Sequence, residues 1–313
     1  MTQYATRSKE VADPVLIVGS MAFDDLELPS VNAKDVVGGA ATYAAYAASL
    51  FSPVRIVAVV GEDFPNAVLE DLTSRDVDVA GVERAKGKTF RWAGRYAANL
   101  ASRETLDTQL NVFADFRPKL PASFTDSPFV LLGNIQPQLQ LDVLSQIKAP
   151  RFVAADTMNF WISGERKKLG EVLSKIDTLL INDEELRELA GIHNIRRAAA
   201  AVLKLRPKRL IVKRGEYGAM LFDNEGVFFT PAYPLEDEVD PTGAGDSFAG
   251  ALLGYLAASG NLDGPCLRRG LRLASAVASF CVEGVGTAKL KAVQRADVMM
   301  RLEALRSITK TGG

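Results

Sequence analysis

Residues 240–248 read DPTGAGDSF, a run in which small residues lie between two carboxylates. The Gly-Ala-Gly sequence at 243–245 lets backbone N–H groups converge without obstruction by large side chains, and the start of a helix adds partial positive charge. Together these features make a concavity that binds anions. Asp246 lies at its rim, where a carboxylate can take the proton of an attacking hydroxyl while the amides hold a transferring phosphoryl group.

The residues after Gly245 indicate where this helix begins. Their apolar side chains recur on one helical face, so we expect the helix to start near Asp246. Two other interpretations remain open: Asp246 caps the helix and the glycines only make a turn, or GAGDSF belongs to a dinucleotide-binding GxGxxG loop. The second is disfavoured because EDEVDPT, and not an apolar strand, precedes the glycines.

The composition bounds the partners and the compartment. The 313 residues carry 37 Lys and Arg against 38 Asp and Glu, so no net field favours nucleic acid or an anionic membrane surface. The polar N-terminus lacks the apolar core of a signal peptide, and no run reaches membrane-spanning length. We therefore expect a cytoplasmic protein that binds neither nucleic acid nor a membrane.

Few residues are available for histidine or cysteine chemistry. His193 is the only histidine and lies in the turn sequence GIHNIRR, which disfavours a Ser-His-Asp triad or a multi-histidine zinc centre. Cys266 and Cys281 both lie in apolar, helix-like sequence, and we expect them to be buried free thiols. Hydrolysis by these routes is therefore disfavoured.

Short apolar runs alternate with helical sequence along most of the chain. The runs are continuous, as in parallel strands covered on both faces, and they occupy residues 15–19, 55–61, 129–133, 151–156, 178–182 and 209–215. This rhythm predicts an α/β fold, a doubly wound and mostly parallel sheet flanked by helices, in a single domain spanning 1–313. Such sheets bind ligands at the carboxyl ends of their strands.

Two segments break this rhythm, at about 21–37 and 88–116. In the second, Phe90, Trp92 and Tyr96 fall on alternate positions, which is the period of a strand. We expect the two segments to form a small antiparallel β-sheet that acts as a lid over a ligand. The alternative is an edge ribbon with a solvated arginine face. Exposed edges of such a sheet can pair between subunits, so a homodimer formed through the lid is a further alternative.

Several motifs, taken in order, resemble the ribokinase-like (PfkB) family of carbohydrate kinases. They cover most of residues 15–290 and read VGSMAFDDL, VVGGAATYAAYAASLF, VRIVAVVGEDF, LLINDEEL, LIVKRGEYGAMLF and DPTGAGDSFAGALLGYL. The resemblance implies a ribokinase-like α/β domain with a β lid, ATP and Mg²⁺ as cofactors, and a small sugar or nucleoside as substrate. It also implies transfer of the ATP γ-phosphoryl group to an alcohol.

The resemblance assigns roles at the transfer point and at the acceptor. Asp246 matches the family's catalytic base. The family's anion hole is matched by Gly243, Ala244 and Gly245. Its sugar-binding positions are matched by Asp24, Gly38 and Gly39. A carboxylate accepts two neighbouring hydroxyl protons, and glycines allow close approach. Asp25 is adjacent to Asp24 and competes for the same role.

The resemblance also assigns a nucleotide side. Asn182 and Glu185 match the motif associated with Mg²⁺ and phosphate, with Glu185 holding the metal through water; the other interpretation is a helix cap followed by an acidic turn. Further nucleotide-side positions are Lys213, Gly215, Gly218 and Thr242. Asp240 matches a position near the monovalent-cation site of some members, so K⁺ at Asp240 remains an alternative.

Departures from the family pattern fall in the sugar region. Ala22 stands where ribokinases often carry Asn, and Ala40 and Tyr43 stand where they commonly carry Lys and Asn. Polar ribose contacts are lost, and Tyr43 is expected to provide an aromatic wall for the substrate, joined by Trp92 of the lid. Trp161 replaces the arginine of sugar-acid kinases, which disfavours an anionic sugar acid. A nucleoside or a cyclitol therefore becomes a candidate beside a simple sugar.

These observations predict an ATP-dependent kinase that phosphorylates a hydroxyl, preferably a primary alcohol, of a sugar or sugar-like molecule. A nucleoside kinase of the same family is the alternative within this class. A catalytically silent ligand-binding regulator on the same fold is the alternative outside it. The intact Gly-Ala-Gly-Asp sequence argues against the regulator, because a regulator has no need of the base.

Overall fold

The computed structural model describes Tyr4, residues 7–100 and residues 102–310. Residue 101 of the expected lid and the outermost parts of the 1–313 range therefore lie outside the described residues. The strands are, in chain order, β1 (Val15–Val18), β2 (Ala22–Glu27), β3 (Asn32–Gly38), β4 (Val54–Val60), β5 (Val77–Arg84), β6 (Phe90–Tyr96), β7 (Arg103–Gln109), β8 (Phe129–Leu132), β9 (Phe152–Asp156), β10 (Thr178–Asn182), β11 (Arg209–Lys213), β12 (Ala219–Asp223) and β13 (Gly226–Thr230). The helices are α1 (Ala40–Ala48), α2 (Asn66–Thr73), α3 (Pro137–Gln146), α4 (Asn159–Gly164), α5 (Arg166–Leu173), α6 (Asp183–Ala190), α7 (Ile195–Leu203), α8 (Ala244–Ser259), α9 (Gly264–Val282), α10 (Ala288–Ala292) and α11 (Arg295–Thr309).

Nine of the strands form one sheet, in the order β13-β12-β11-β10-β9-β8-β1-β4-β5. Every neighbouring pair from β11 to β5 is parallel, and β12 and β13 extend the edge as antiparallel strands. Side chains alternate between the two faces, so Val15 and Ile17 belong to one hydrophobic core and Leu16 and Val18 to a second. The predicted fold class is confirmed, because all six apolar runs are parallel strands of this sheet.

Helices cover both faces of the sheet. The core that contains Val15 also receives side chains from α1, α2 and α8 to α11, and the core that contains Leu16 receives them from α3 to α7. Cys266 and Cys281 are buried free thiols, as predicted. Within the described part of the chain, no helix combines the length and the apolar character needed to cross a membrane.

Helices α1 and α8 approach each other through small residues. A Cβ atom on Gly250 would overlap the Ala44 carbonyl oxygen, and one on Gly254 would lie 2.6 Å from the Ala48 carbonyl oxygen. Residues four apart share one face of a helix, so these two contacts form a single seam along both helices. The seam pairs the earlier residue of one helix with the earlier residue of the other, so the helices run in the same direction and begin at the same end of the sheet.

The small sheet has the order β3-β2-β6-β7. Each of the two predicted segments is an antiparallel hairpin, β2 with β3 and β6 with β7, and the hairpins join side by side through parallel pairing of β2 with β6. The sheet is therefore mixed, which corrects the expectation of an antiparallel one. It has a small core of its own, made by Leu26, Leu28 and Tyr96.

Replacing Gly250 by Ala is expected to destabilise the fold. The new Cβ atom would overlap backbone atoms of α1, which cannot rotate away, so we expect a loss of about 2–3 kcal/mol in the free energy of unfolding. Urea-induced unfolding measures this loss. The matched control is Gly170→Ala in α5, where a Cβ atom would meet nothing within 4 Å; the control should gain about 0.5–1 kcal/mol. Equal stability of the two variants would contradict the seam.

Candidate active site

Asp246 lies in the first turn of α8, beyond a turn that requires glycine. Gly243 has a φ of 76°, in the left-handed region, and a Cβ atom there would overlap the ring of Tyr43. At the start of α8 the capping position is Gly243, which has no side chain to cap the helix, whereas Asp263 accepts a hydrogen bond from the Cys266 N–H at the start of α9. Asp246 therefore lies in the first turn of α8 and not at its capping position, and its carboxyl is within hydrogen-bond reach of its own backbone N–H.

Lys213 brings a cation to this turn. It is the last residue of β11, and its Nζ donates to Oδ2 of Asp156, the last residue of β9, at 2.7 Å. A Cβ atom on Gly245 would lie 3.1 Å from the same Nζ. Among the described residues, the backbone N–H of Gly245 has no hydrogen-bond acceptor. An ammonium group, an unpaired amide and the positive end of a helix thus meet at one point, which suits a phosphate group.

The carboxyl of Asp246 is tuned by its neighbours. Burial is the largest cause that raises its pKa, the Asp156 carboxylate adds to it, and Lys213 and Arg103 oppose it, so that the pKa is about 6. A carboxyl with this pKa is ionised at neutral pH and is more basic than an ordinary aspartate. Both properties favour a general base.

Asn182 and Glu185 form the capping box of α6. The Asn182 side chain accepts a hydrogen bond from the Glu185 N–H at 2.8 Å, and a carboxylate oxygen of Glu185 accepts one from the Asn182 N–H at 2.9 Å. Burial, followed by the Asp156 carboxylate, raises the pKa of Glu185 to about 7. No group of three metal-binding side chains occurs in the described ranges, so a divalent cation here would need water and phosphate oxygens as further ligands.

Asp24 lies against the strand that carries Gly38. A Cβ atom on Gly38 would overlap the Asp24 carboxylate, so a larger residue at position 38 would displace it. Asp24 is 4% exposed, and its carboxylate has no hydrogen-bond donor among the described residues. Burial is the largest cause that raises its pKa, to about 8, followed by neighbouring carboxylates. Asp25, in contrast, accepts a hydrogen bond from the Asp35 N–H at 2.9 Å.

Tyr43 does not present the expected aromatic wall. Its ring is 1% exposed and packs beneath Gly243 and beside Gly38, so it forms a floor that supports both. Tyr43 lies near the start of α1, which begins directly after Gly39. Trp92 is partly exposed and pairs with Asp24 in the register of β2 and β6. Since paired residues share a face of a sheet, the Trp92 side chain faces the same way as the Asp24 carboxyl.

Thr242 and Asp240 tie the turn before α8 to other parts of the molecule. The Thr242 and Tyr96 hydroxyl groups share a hydrogen bond of 2.9 Å, which joins the turn to the small sheet. Asp240 is fully buried, and its two carboxylate oxygens accept hydrogen bonds from the Thr242 N–H at 2.9 Å and the Gly286 N–H at 2.8 Å. Both residues therefore fix the geometry of the turn that leads to Asp246.

Gly215 and Gly218 shape the turn between β11 and β12. Both have positive φ, of 54° and 89°. A Cβ atom on Gly218 would overlap the carbonyl oxygen of Thr230 at the end of β13, whereas one on Gly215 would meet nothing within 4 Å. The glycine at 218 is thus required by the packing of the edge strands. Lys213 is the residue of this stretch that reaches the carboxylate cluster.

Sequence reasoning did not single out Asp156 and Arg103 as members of the cluster. Asp156 ends an apolar run that predicts a parallel strand, and a carboxylate at that position is a usable signal because ligands lie at such strand ends. Arg103 lies on an exposed strand whose pairing is not visible in the sequence. Its place near the site depends on the register of the small sheet.

A family model described as pfkB family carbohydrate kinase matches residues 11–292. The chain belongs to this family. It is accordingly a phosphotransferase that acts on a hydroxyl group.

Relatives of this PfkB chain include kinases of nucleosides and sugars. The cytidine kinase of Thermococcus kodakarensis is 29% identical over 269 residues, which cover 84% of this chain and 95% of that protein. The ribokinase of Arabidopsis thaliana is 27% identical over 309 residues, which cover 88% of this chain and 77% of that protein. A putative ribokinase II from E. coli, solved in complex with ATP and Mg²⁺, has the same fold, with a TM-score of 0.77, 20% identity, and coverage of 93% and 99% of the two chains.

Asp24→Asn is expected to stabilise this PfkB chain at pH 8. The pKa of Asp24 is about 8 in the folded state against 3.8 for the ordinary group, so the contribution of this carboxyl to stability is lost as the pH rises from about 4 to 8. Asparagine is neutral throughout and avoids this loss. Thermal unfolding should give a Tm at least about 2 °C above wild type at pH 8, with a smaller difference at lower pH.

The control for this prediction is Asp25→Asn, which removes a charge from the adjacent, half-buried residue of the same strand. A Tm for Asp24→Asn at or below that of wild type at pH 8 would show that the buried carboxyl is not destabilising.

Proposed function

We propose that this protein transfers the γ-phosphoryl group of ATP to a hydroxyl of a sugar or nucleoside, with Asp246 as the general base. One observation carries the proposal: the Asp246 carboxyl shares the N-terminus of α8 with the unpaired amide of Gly245, beside the Lys213 ammonium group. A proton acceptor and an anion-binding site are thus adjacent, which is the arrangement that phosphoryl transfer to an alcohol requires.

In the proposed step, Asp246 accepts the proton of the acceptor hydroxyl. The deprotonated oxygen forms a bond to the γ-phosphorus as the bond between that phosphorus and the β-phosphate oxygen breaks. ADP leaves with the electron pair of the broken bond. The Gly245 N–H and the Lys213 Nζ stabilise the charge on the transferring group, since both are positioned before the reaction begins.

The donor end fits Mg²⁺ as an ion held largely through water. Glu185 and Asp156 supply carboxylates in a region where burial, and after it the Asp156 charge, raises the pKa of Glu185 and of Asp246, and a divalent cation would offset the negative charge. Mg²⁺ neutralises phosphate charge when it is bound. Asn182 and Glu185 hold the start of α6 in place through their capping box, which positions the Glu185 carboxyl for this role.

The acceptor would bind between the two sheets, with its hydroxyl groups on Asp24. This carboxyl group is buried and has no hydrogen-bond partner among the described residues, so neighbouring hydroxyl groups of the acceptor would complete its hydrogen bonds. The ribokinase relative supports a sugar acceptor. The cytidine kinase relative, which aligns over 84% of this chain, supports a nucleoside. Trp92 favours the nucleoside, because its indole shares the sheet face of Asp24 and can stack on a base.

A screen of acceptors tests this function directly. ADP release is measured with ribose, fructose, inositol and nucleosides, each with ATP and Mg²⁺. Turnover with at least one of them is expected. Release of no ADP above background with any polyol or nucleoside would replace the kinase by a ligand-binding regulator on the same fold.

Asp246→Asn is expected to lower kcat by about 10³-fold with little change in acceptor KM, because the amide keeps the shape of the side chain but cannot accept the proton. Steady-state ADP release measures both constants. The matched control is Asp263→Asn, which changes an acid at the start of the next long helix. It should stay within about twofold of wild-type kcat.

The pH dependence gives a second readout of the same group. The base must be ionised, so kcat/KM of the wild type should fall as the pH drops through about 6, the pKa of Asp246. A profile that is flat from pH 5 to 8, or wild-type turnover in Asp246→Asn, would remove Asp246 as the base.

A further inference from the structure

Arg103 differs from the other arginines of the small sheet in having no carboxylate partner. Arg91 pairs with Asp35 at 2.6 Å, and Arg95 pairs with Glu27 at 2.6 Å. Arg103, the first residue of β7, makes no ion pair with any residue that the structure describes, and its side chain is exposed. An arginine without a carboxylate partner near a cluster of acids can bind an anion.

The strand register places Arg103 on the side of the small sheet that carries Asp24. Arg103 pairs with Tyr96 across β7 and β6, and Trp92 lies four residues before Tyr96 on the same strand. Trp92 in turn pairs with Asp24 across β6 and β2. Paired residues and alternate residues share a face of a sheet, so these four side chains all project from one face.

Two contacts hold Arg103 close to the turn that carries Asp246. The centre of its guanidinium lies 5.7 Å from the centroid of the Trp92 ring, within the range of a cation–π contact. Its pairing partner Tyr96 shares the hydrogen bond with Thr242, the residue immediately before Gly243. The backbone of β7 is therefore connected to the anion-binding turn through one side-chain hydrogen bond.

The charge of Arg103 reaches three carboxyl groups of the site. Burial raises the pKa of Asp24, of Glu185 and of Asp246, and in each case the Arg103 guanidinium acts in the opposite direction. These three residues mark the acceptor end, the donor end and the transfer point of the proposed reaction. One cation therefore acts on a carboxyl group at each end of the proposed reaction and on the carboxyl at its transfer point.

We propose that Arg103 binds the transferring phosphoryl group, through two N–H donors to two of its non-bridging oxygens. This inference rests on the proposed function. The guanidinium would stabilise the charge that spreads over these oxygens as the bond to ADP breaks and the bond to the acceptor forms, and it takes no part in the proton transfer to Asp246. An anionic group on the acceptor is a less suitable partner, because it would lie beside the buried carboxyl of Asp24.

The test compares Arg103→Gln and Arg103→Lys with Arg95→Gln, a matched control that removes the same charge from the neighbouring strand β6. We expect Arg103→Gln to lower kcat by about 10²–10³-fold while KM for ATP and acceptor stay within about threefold. Arg103→Lys should recover part of kcat, since it keeps the charge but loses the fork of donors. The control should remain within about twofold in all constants.

An unchanged kcat in Arg103→Gln, or a rise in acceptor KM alone, would overturn the inference, and the second result would assign Arg103 to the acceptor. A binding experiment distinguishes failure of the Arg103 inference from failure of the proposed function. Calorimetry measures the affinity for ADP with and without aluminium fluoride, an anionic mimic of the transferring group. If wild type turns over no acceptor, the proposed function fails. The Arg103 contact still stands if fluoride tightens ADP binding in wild type and not in Arg103→Gln, and an equal gain in both would remove it.

Discussion

The close contact between α1 and α8 is the constraint on which the site depends. Gly250 and Gly254 bring the α8 backbone against Ala44 and Ala48, and the two helices then begin at the same end of the sheet. Gly38 and Gly39, beside Asp24, directly precede α1, and Asp246 lies in the first turn of α8. Tyr43 fills the space between them, under Gly243. A larger residue in the seam would move the Asp24 carboxyl away from the Asp246 carboxyl, so the packing of the helices and the geometry of the site are determined by the same small side chains.

The buried carboxyl groups at the strand ends destabilise the folded state, and this loss of stability points to a functional site. Asp24, Glu185 and Asp246 all have a raised pKa, with burial as the largest cause. Lys213 and its ion pair with Asp156 offset only part of the negative charge. Unfavourable electrostatics of this kind persist at sites that bind cations or move protons. A fold optimised for stability alone would place apolar residues here.

The fold could be predicted from the sequence because its strands are continuous apolar runs, such as 129–132, which are typical of parallel strands covered on both faces. The site was predicted less completely. The run at 243–246 has a local signature, but the register that brings Arg103 opposite Tyr96 depends on pairing between distant segments. Tyr43 shows the same limit of sequence-based prediction. Its position in the sequence suggests an aromatic wall for the substrate, whereas its burial follows from the α1–α8 seam. Local chemistry is readable in this sequence, whereas the register between distant segments is not.

Asp240 joins the parts of the site that local sequence cannot connect. Its two oxygens hold the Thr242 N–H and the Gly286 N–H, so the turn before α8 and the loop after α9 are fixed together. A Cβ atom on Gly286 would overlap Val36 of the small sheet, which shows how closely that sheet rests on this loop. Movement of the small sheet would therefore act on the loop and on the turn that leads to Asp246. Under the proposed function, closure of the small sheet over an acceptor and alignment of Asp246 would be one mechanical event.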